Sequence, residues 1–428
     1  MTSGPQAAQT HLSAQQRHAL GLLWQVLPEA RLVGGVVRDL MMGRSVADVD
    51  LATPEPPEQV LATLKQAGIK AIPTGLAHGT VTAVIESAPY EITTLRRDVE
   101  TDGRHAVVVW TADWREDAAR RDFTMNAMSR GRDGVLHDYF GGQQDLAQGL
   151  VRFVGNAATR IAEDALRILR FFRFQARYGR GQPDAEAIEA ITAQAGLLYG
   201  LSVERIWSEL KRILTGPAVP ETLDLMEQTG VLAVLFPNGV TGARLTRIVV
   251  AGAPADAVLR LAGLAPEDKG ELARRLKLSK AEAAFLKGVA SPPVPQPHMT
   301  DADLRRLLAQ EPPEVLLGRT WLEQAERADG MPATGKRAAE KNTEKNSGEN
   351  GAKNAVGADW LMLRSRLSAM TPPVFPLAGR DVLAAGHPPG PQVGAVLEQV
   401  RAWWLAEGCT APAEACLAFL KKVLKSQS

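Results

Sequence analysis

Two aspartates one residue apart, Asp48 and Asp50, are the first side chains whose types and spacing suggest chemistry. Apolar and polar positions alternate over residues 46–51, which reads as a half-buried strand. Residues two apart on a strand point to the same face, so the two carboxylates would stand side by side. Hard oxygen donors of this kind suit Mg²⁺, which keeps some waters and takes further ligands from substrate phosphates. Two such ions, about 3.5–4 Å apart, can activate an attacking hydroxyl and stabilise a leaving oxygen. Upstream, Gly34-Gly35-Val36-Val37-Arg38-Asp39 puts a tight turn after the short apolar run 30–33. Glycine lets the backbone approach a ligand closely, and a helix starting there aims N–H groups at a triphosphate. A D-x-D pair alone is more often an ordinary strand edge. The turn upstream, at this spacing, makes it a candidate site.

Further along, Arg120 and Arg121 precede a helix-like stretch over 123–128. A guanidinium fork contacts two phosphate oxygens at once, so arginines there suit a triphosphate. Asp122 can accept from a ribose hydroxyl, and Asn126 can reach a phosphate or sugar. For each, the plain alternative is a polar cluster at a helix N-terminus. Apolar spacing reads residues 161–178 as one helix, on which Asp164 and Arg167 are i,i+3 neighbours. A carboxylate accepts from an exocyclic amine and an arginine donates to ring acceptors. Cytosine and adenine both offer an amine beside a ring nitrogen, where uracil and guanine carry a carbonyl. One Asp–Arg pair can therefore accept C and A and reject U and G, each good contact being worth roughly 1–3 kcal/mol. Taken alone, such a pair is more often an intrahelical salt bridge. Residues 152–180 hold seven arginines and two acids, either a phosphate-facing surface or a solvated helix face. His137-Asp138 lacks the further histidines of a metal hydrolase, and Trp403-Trp404 reads as helix packing rather than a base-stacking platform.

The elements that must position these groups fall into two kinds. Strand and helix signals alternate to about residue 150, with helices over 12–27, 36–42 and 55–66 and strands over 80–86 and 90–94. From residue 161 onward helical spacing dominates, giving an α/β head followed by a helical remainder. Residues 333–357 are polar and low in complexity, and are expected to be a disordered linker. Residues 360–425 return to helical spacing, broken by a Gly/Pro turn over 386–391. A length of 428 residues implies at least two domains. No long uncharged apolar run is present, so no membrane span is expected, and residues 1–19 lack the apolar core of a secretory signal. Two cysteines, Cys409 and Cys416, argue against a disulfide framework and for a reducing, cytoplasmic location. The net charge of +1 by itself says nothing about nucleic acid.

Six ordered stretches together resemble the class II CCA-adding tRNA nucleotidyltransferases and the related bacterial poly(A) polymerases. They are Gly34-Gly35-x-x-Arg38-Asp39 with Asp48-x-Asp50-x-x-Thr53; His78-Gly79-Thr80-Val81-Thr82 and Glu91-Ile92-Thr93-Thr94; Arg120 through Ala127; Asp138 through Leu146; Glu163-Asp164-Ala165-Leu166-Arg167 with Arg170; and Ser202-Val203-Glu204-Arg205. The resemblance implies an α/β nucleotidyltransferase head with a small mixed sheet over 1–150. A helical neck over 151–215, a body over 216–332 and a tRNA-binding tail over 358–428 would follow. It implies catalysis by Asp48 and Asp50 with Mg²⁺, Glu91 as a third carboxylate, and nucleotide binding by Gly35, Arg38, Arg121, Asp122, Asn126, Asp164, Arg167 and Arg170. The expected partners are the tRNA acceptor arm, CTP and ATP, with no membrane and no DNA. The stretch over 75–82 and the polar loop over 96–105 look like those of full CCA-adding members, in which a Gly-containing loop lets the base pocket resize from C to A. A poly(A) polymerase is the near alternative, and a non-catalytic RNA-binding relative the remote one, which the intact Asp48 and Asp50 speak against.

Overall fold

Ser13 starts the first helix: its hydroxyl accepts from the N–H of Gln16 at 3.1 Å, and the Gln16 side chain accepts from the N–H of Ser13 at 2.8 Å. The computed structural model describes residues 11–101, 106–328 and 347–426 and divides into two compact units, Met1–Pro237 and Asn238–Ser428. The first unit begins α1 (Ala14–Val26), β1 (Arg31–Val33), α2 (Gly35–Met41), β2 (Asp50–Thr53), α3 (Pro57–Gln66), β3 (Lys70–Gly75), β4 (Thr80–Ile85) and β5 (Ala88–Thr94). It continues with β6 (Arg96–Thr101), β7 (Ala106–Trp110), α4 (Trp114–Ala119), β8 (Met128–Arg130), β9 (Leu136–Asp138) and α5 (Gly142–Gln148). Seven strands form one mixed sheet in the order β3-β4-β5-β2-β1-β8-β9, in which only β2 and β5 pair parallel.

Several sequence expectations shift. The strand expected over 46–51 starts only at Asp50, so Asp48 lies before it, exposed. β1 ends at Val33, because Gly34, at φ +68°, turns the chain into α2. Residues before Asp50 therefore have no β1 backbone to pair with. The helix expected over 123–128 is one 3₁₀ turn, Thr124–Asn126, after which β8 joins the sheet against β1. The polar loop expected over 96–105 is a two-stranded ribbon of β6 and β7, and residues 102–105 lie outside the described residues.

Six helices follow in the first unit: α6 (Ala157–Glu163), α7 (Leu166–Tyr178), α8 (Ala185–Gln194), α9 (Val203–Leu214), α10 (Val219–Gln228) and α11 (Val231–Leu235). The helix expected over 161–178 breaks at Asp164, whose backbone is extended and whose carboxylate accepts from the N–H of Leu166 at 3.1 Å. A short polar side chain here competes for the backbone and starts a new helix. Phe123 of the head packs on Phe153 and Phe174, each at 5.0 Å between centroids, so head and neck share one aromatic core. Because α10 packs on α7 and α9, the first unit runs past residue 215 to Pro237.

Among the described residues of the second unit every regular element is a helix. The segment expected to be disordered splits: residues 333–346 lie outside the described residues, while a helix spans Ser347–Ala369. Trp360, Leu363 and Leu367 are buried against Leu304, Leu308 and Leu316. Once such a turn is fixed, adding residues to the helix costs little, which extends it back into the polar sequence. Trp404 is buried and donates to the Ala411 carbonyl at 3.2 Å, and Trp403 stacks on Phe419 at 4.6 Å. Both tryptophans are packing residues. No described helix is long and apolar enough to cross a membrane.

The end of the head is tightly packed. Asp138 caps α5, accepting from the N–H groups of Phe140, Gly142 and Gln143 at 3.2, 2.9 and 2.8 Å. A Cβ on Gly142 would lie 2.1 Å from the Thr124 carbonyl oxygen, a backbone atom that cannot rotate away. Gly142→Ala is therefore expected to cost about 1–3 kcal/mol, a typical overpacking penalty, read as a fall in the thermal midpoint; an unchanged midpoint would show that the two segments can slide apart.

Candidate active site

The Gly34 turn sets the geometry. A Cβ there would meet the Arg121 guanidinium at 3.1 Å, so the turn and that arginine share one crowded corner. From α2, Arg38 reaches back and is only 7% exposed. It pairs with Asp39 at 3.1 Å, donates to the Asn126 Oδ1 at 2.6 Å and stacks over Tyr178 of α7 at 4.4 Å. Asn126 in turn donates through Nδ2 to Asp122 at 2.9 Å.

Asp122 is the junction of this chain. One oxygen accepts from Asn126 and from the N–H of Phe123 at 2.9 Å; the other accepts from Arg170 Nε at 2.9 Å and from a second nitrogen of that guanidinium. Burial alone would raise its pKa, but the Arg170 charge and these four hydrogen bonds hold the carboxyl below the usual range. Arg170 continues to Glu209 at 3.9 Å, and Glu209, 4% exposed, pairs with Arg173 at 2.7 Å. With its oxygens so occupied, Asp122 orients Asn126 and Arg170 rather than offering a free acceptor to a ribose.

Two carboxylates join this corner, with the Arg121 charge acting on Asp50. β2 and β5 run parallel with Asp50 in register with Glu91, which puts the two side chains on one face. Asp50 is half-buried, and burial, then the nearby Glu91 and Asp48 charges, push its pKa up. A cation would relieve that crowding. Among the described residues no three acidic, His or Cys groups converge closely enough to hold a metal alone. One or two carboxylates completed by phosphate oxygens is the donor set that hard divalent ions accept, so the residues present fit such an ion.

Asp164 and Arg167 are not neighbours on one continuous helix. Asp164 is not on a helix face with Arg167; both its oxygens accept from Arg205, at 3.0 and 2.8 Å. Arg167 donates to Glu163 at 2.7 Å and to the carbonyls of Arg160 and Arg120 at 2.9 and 3.0 Å. The break at Asp164 causes this, because it turns the carboxylate away from the i,i+3 geometry of a continuous helix. Both groups nonetheless line one cavity of about 630 Å³ with Gly35, Arg38, Asp50, Glu91, Arg121, Asp122, Asn126 and Arg170. Asp48 alone of the expected site residues does not line it. Arg96, Arg173 and Arg205 also line it, although the sequence reading gave them no role. Arg173 follows Arg170 by three residues on α7, a spacing that could have identified it; Glu209, buried behind them, carried no such signal.

Comparison with known proteins sets this geometry in context. A family model described as "Poly A polymerase head domain" matches residues 30–152, and one described as "Probable RNA and SrmB- binding site of polymerase A" matches residues 182–240. The chain is 36% identical to the Mus musculus protein named CCA tRNA nucleotidyltransferase 1, mitochondrial, over 96% of this chain and 89% of that one. It is 37% identical to the Homo sapiens protein of the same name, over 92% and 87%. The solved structure of the Bacillus stearothermophilus CCA-adding enzyme in complex with CTP superposes with a TM-score of 0.70 at 27% identity, over 97% of this chain and 99% of that one.

The Asp122 junction has a pH signature. A carboxyl whose folded pKa is depressed contributes stability that is complete above its unfolded value of about 3.9 and is lost as pH falls through the folded value. Asp122→Asn should therefore be less stable than the parent by about 1–3 kcal/mol from pH 5 to 8. The gap should close on acidification below about pH 4. Denaturant melts across that range check it, and a gap independent of pH would show that the carboxylate charge is not what matters.

Proposed function

The chain belongs to the CCA tRNA nucleotidyltransferase family, and from that premise we infer that it adds C, C and A to the 3′ end of tRNA, using CTP and ATP without a nucleic-acid template. At each step the tRNA 3′-hydroxyl oxygen forms a bond to the α-phosphorus of the incoming nucleotide. The bond from that phosphorus to the bridging oxygen breaks, pyrophosphate leaves and the hydroxyl proton is lost. The observation that carries this reading is the lining of the cavity, in which the Asp50 and Glu91 carboxylates meet the arginines Arg121, Arg170 and Arg173.

Members of this family depend on a divalent metal, and we propose Mg²⁺, held by Asp48 and Asp50 with Glu91 beside them. When bound, that ion supplies charge neutralisation at the phosphates and polarisation of the attacking hydroxyl. The chain's own residues do the rest by positioning and by fixed charge. Arg121 neutralises the triphosphate, and Gly35 admits it close to the backbone. Arg38 and Asn126, locked to Asp122, set the sugar and phosphate wall. Arg170, oriented by Asp122, faces the nucleotide from the neck. Asp164 accepts from the exocyclic amine of cytosine or adenine, and Arg167 supports the same edge. Both leave their present partners, Arg205 and Glu163, to do so. The tRNA acceptor arm is held largely through its phosphates and shape, as duplex RNA is, so binding should weaken as salt rises. Two buried free thiols, Cys409 and Cys416, fit a reducing compartment, and we propose the cytoplasm.

The test uses a tRNA ending at its discriminator base, with Mg²⁺ and CTP alone, ATP alone, or both. Growth by three nucleotides only with both, abolished by Asp48→Ala and by Asp50→Ala, is expected. Long adenosine tracts with ATP alone would instead make the chain a poly(A) polymerase, and two added cytidines with no adenosine would make it a partial enzyme.

A further inference from the structure

Asp117 stands outside every motif given a role above, yet it is 2% exposed and its oxygens are fully used. Oδ1 accepts from Arg120 Nε and Nη2 at 2.9 and 2.8 Å and from the backbone N–H of Arg96 at 3.3 Å; Oδ2 accepts from Arg121 Nη2 at 3.1 Å. Arg96, Arg120 and Arg121 all line the nucleotide cavity. Burial works to raise the Asp117 pKa, but the Arg121 and Arg120 charges and hydrogen bonds outweigh it and keep the carboxyl ionised.

The helix that carries Asp117 is held from both sides. Asp113 caps α4, accepting from the N–H of Arg115 at 2.8 Å, while Trp114 packs on Val33, Ala52 and Leu95 and lies under Arg31 at 4.0 Å. From the neck, Arg160 donates to the Ala119 carbonyl at 2.8 Å and Arg167 to the Arg120 carbonyl at 3.0 Å. Three things therefore meet at α4: the base of the β6–β7 ribbon, the arginines of the triphosphate wall, and the neck arginine beside the base-reading edge. A buried carboxylate is costly unless its partners are placed for it, and losing one leaves the others uncompensated.

We propose that Asp117 is a positioning residue for the triphosphate, fixing Arg120 and Arg121 at the cavity wall and tying them to the first residue of the ribbon. It touches no substrate itself. The proposal rests on the nucleotidyltransferase reading of the cavity. Because the triphosphate is common to CTP and ATP, Asp117 serves both nucleotides alike, and the choice of base lies elsewhere.

The experiment compares the full chain with Asp117→Asn, Arg121→Lys and the double variant in tRNA extension assays. In Asp117→Asn, KM for CTP and for ATP should rise together, roughly tenfold to a hundredfold, as for the loss of a charge-assisted hydrogen bond. Discrimination against UTP and GTP should be retained, and amide hydrogen exchange at Arg96 should quicken. The double variant should show a KM increase smaller than the product of the two single increases, since both changes break the Asp117–Arg121 contact while Asp117→Asn also loosens Arg120. A folded Asp117→Asn with unchanged KM, or effects that add, overturns the proposal. Should Asp117→Asn not fold, Arg121→Lys decides alone: it keeps the charge but not the fork, and an unchanged KM refutes the role. If the parent chain adds no nucleotide to tRNA, the reading of the cavity fails instead, and exchange at Arg96 still reports whether Asp117 pins the ribbon.

Discussion

A carboxylate buried to 9% exposure can remain charged only if the fold supplies enough donors, and at Asp122 it supplies four. Two come from residues just after it, the Phe123 N–H and the Asn126 side chain, and two from Arg170 on helix α7. Through Asn126 the same network reaches Arg38 on α2, whose guanidinium lies on Tyr178 of α7. Head and neck are thus joined by one chain of charge-assisted hydrogen bonds over a shared core of Phe123, Phe153 and Phe174. Every member of that chain, Arg38, Asn126, Asp122 and Arg170, lines the cavity.

On this frame carboxylates and guanidiniums line one cavity. The sheet brings Asp50 and Glu91 together through the single parallel pairing, β2 with β5. The turn at Gly34, α4 and α7 bring the arginines to the same cavity, where the Arg121 charge acts on Asp50. A nucleoside triphosphate is a ligand for both: its phosphates answer the guanidiniums and help complete the coordination of a divalent ion at the carboxylates. The base-reading end is less committed. Asp164 rests on Arg205 and Arg167 on Glu163, so nucleotide binding on our reading exchanges internal ion pairs for contacts to the base. Such an exchange limits affinity but sharpens selection, because a wrong base leaves the displaced groups unpaired.

Much of this was legible in the sequence, and the limits have physical causes. Gly34, Asp50 and Asn126 stood out from the local pattern, because glycine turns and polar groups at short spacing imply local geometry, whereas the readings of Arg38, Glu91 and Arg170 came only through the family resemblance. The head–helix division followed from the change in apolar period after residue 161. What failed was pairing that depends on distant backbone. The start of β2 depends on where β1 stops, and the turn at Phe123 depends on Phe153 across the neck. The partner of Asp164 proved to be Arg205, far along the chain, since a single extended residue broke the helix that an i,i+3 argument assumed. Glu209 and Asp117 were invisible for a related reason: an acid in an amphipathic helix reads as a solvated face until tertiary structure buries it among arginines. Residues 96–105 read as a loop because polar residues obscure the strand pattern there, and the apolar run over 106–110 that pairs with them was given no reading.

The central claim is that the Arg38–Asn126–Asp122–Arg170 chain shapes the nucleotide site as a unit. Calorimetric titration of CTP and of ATP into the full chain and into Asn126→Ala tests it most directly, since that change cuts the middle link without adding charge. The account predicts that both affinities fall together, at least about tenfold, while the chain still melts as a folded protein. Affinities equal to those of the parent chain would contradict it and would mean that head and neck present their arginines to the nucleotide independently.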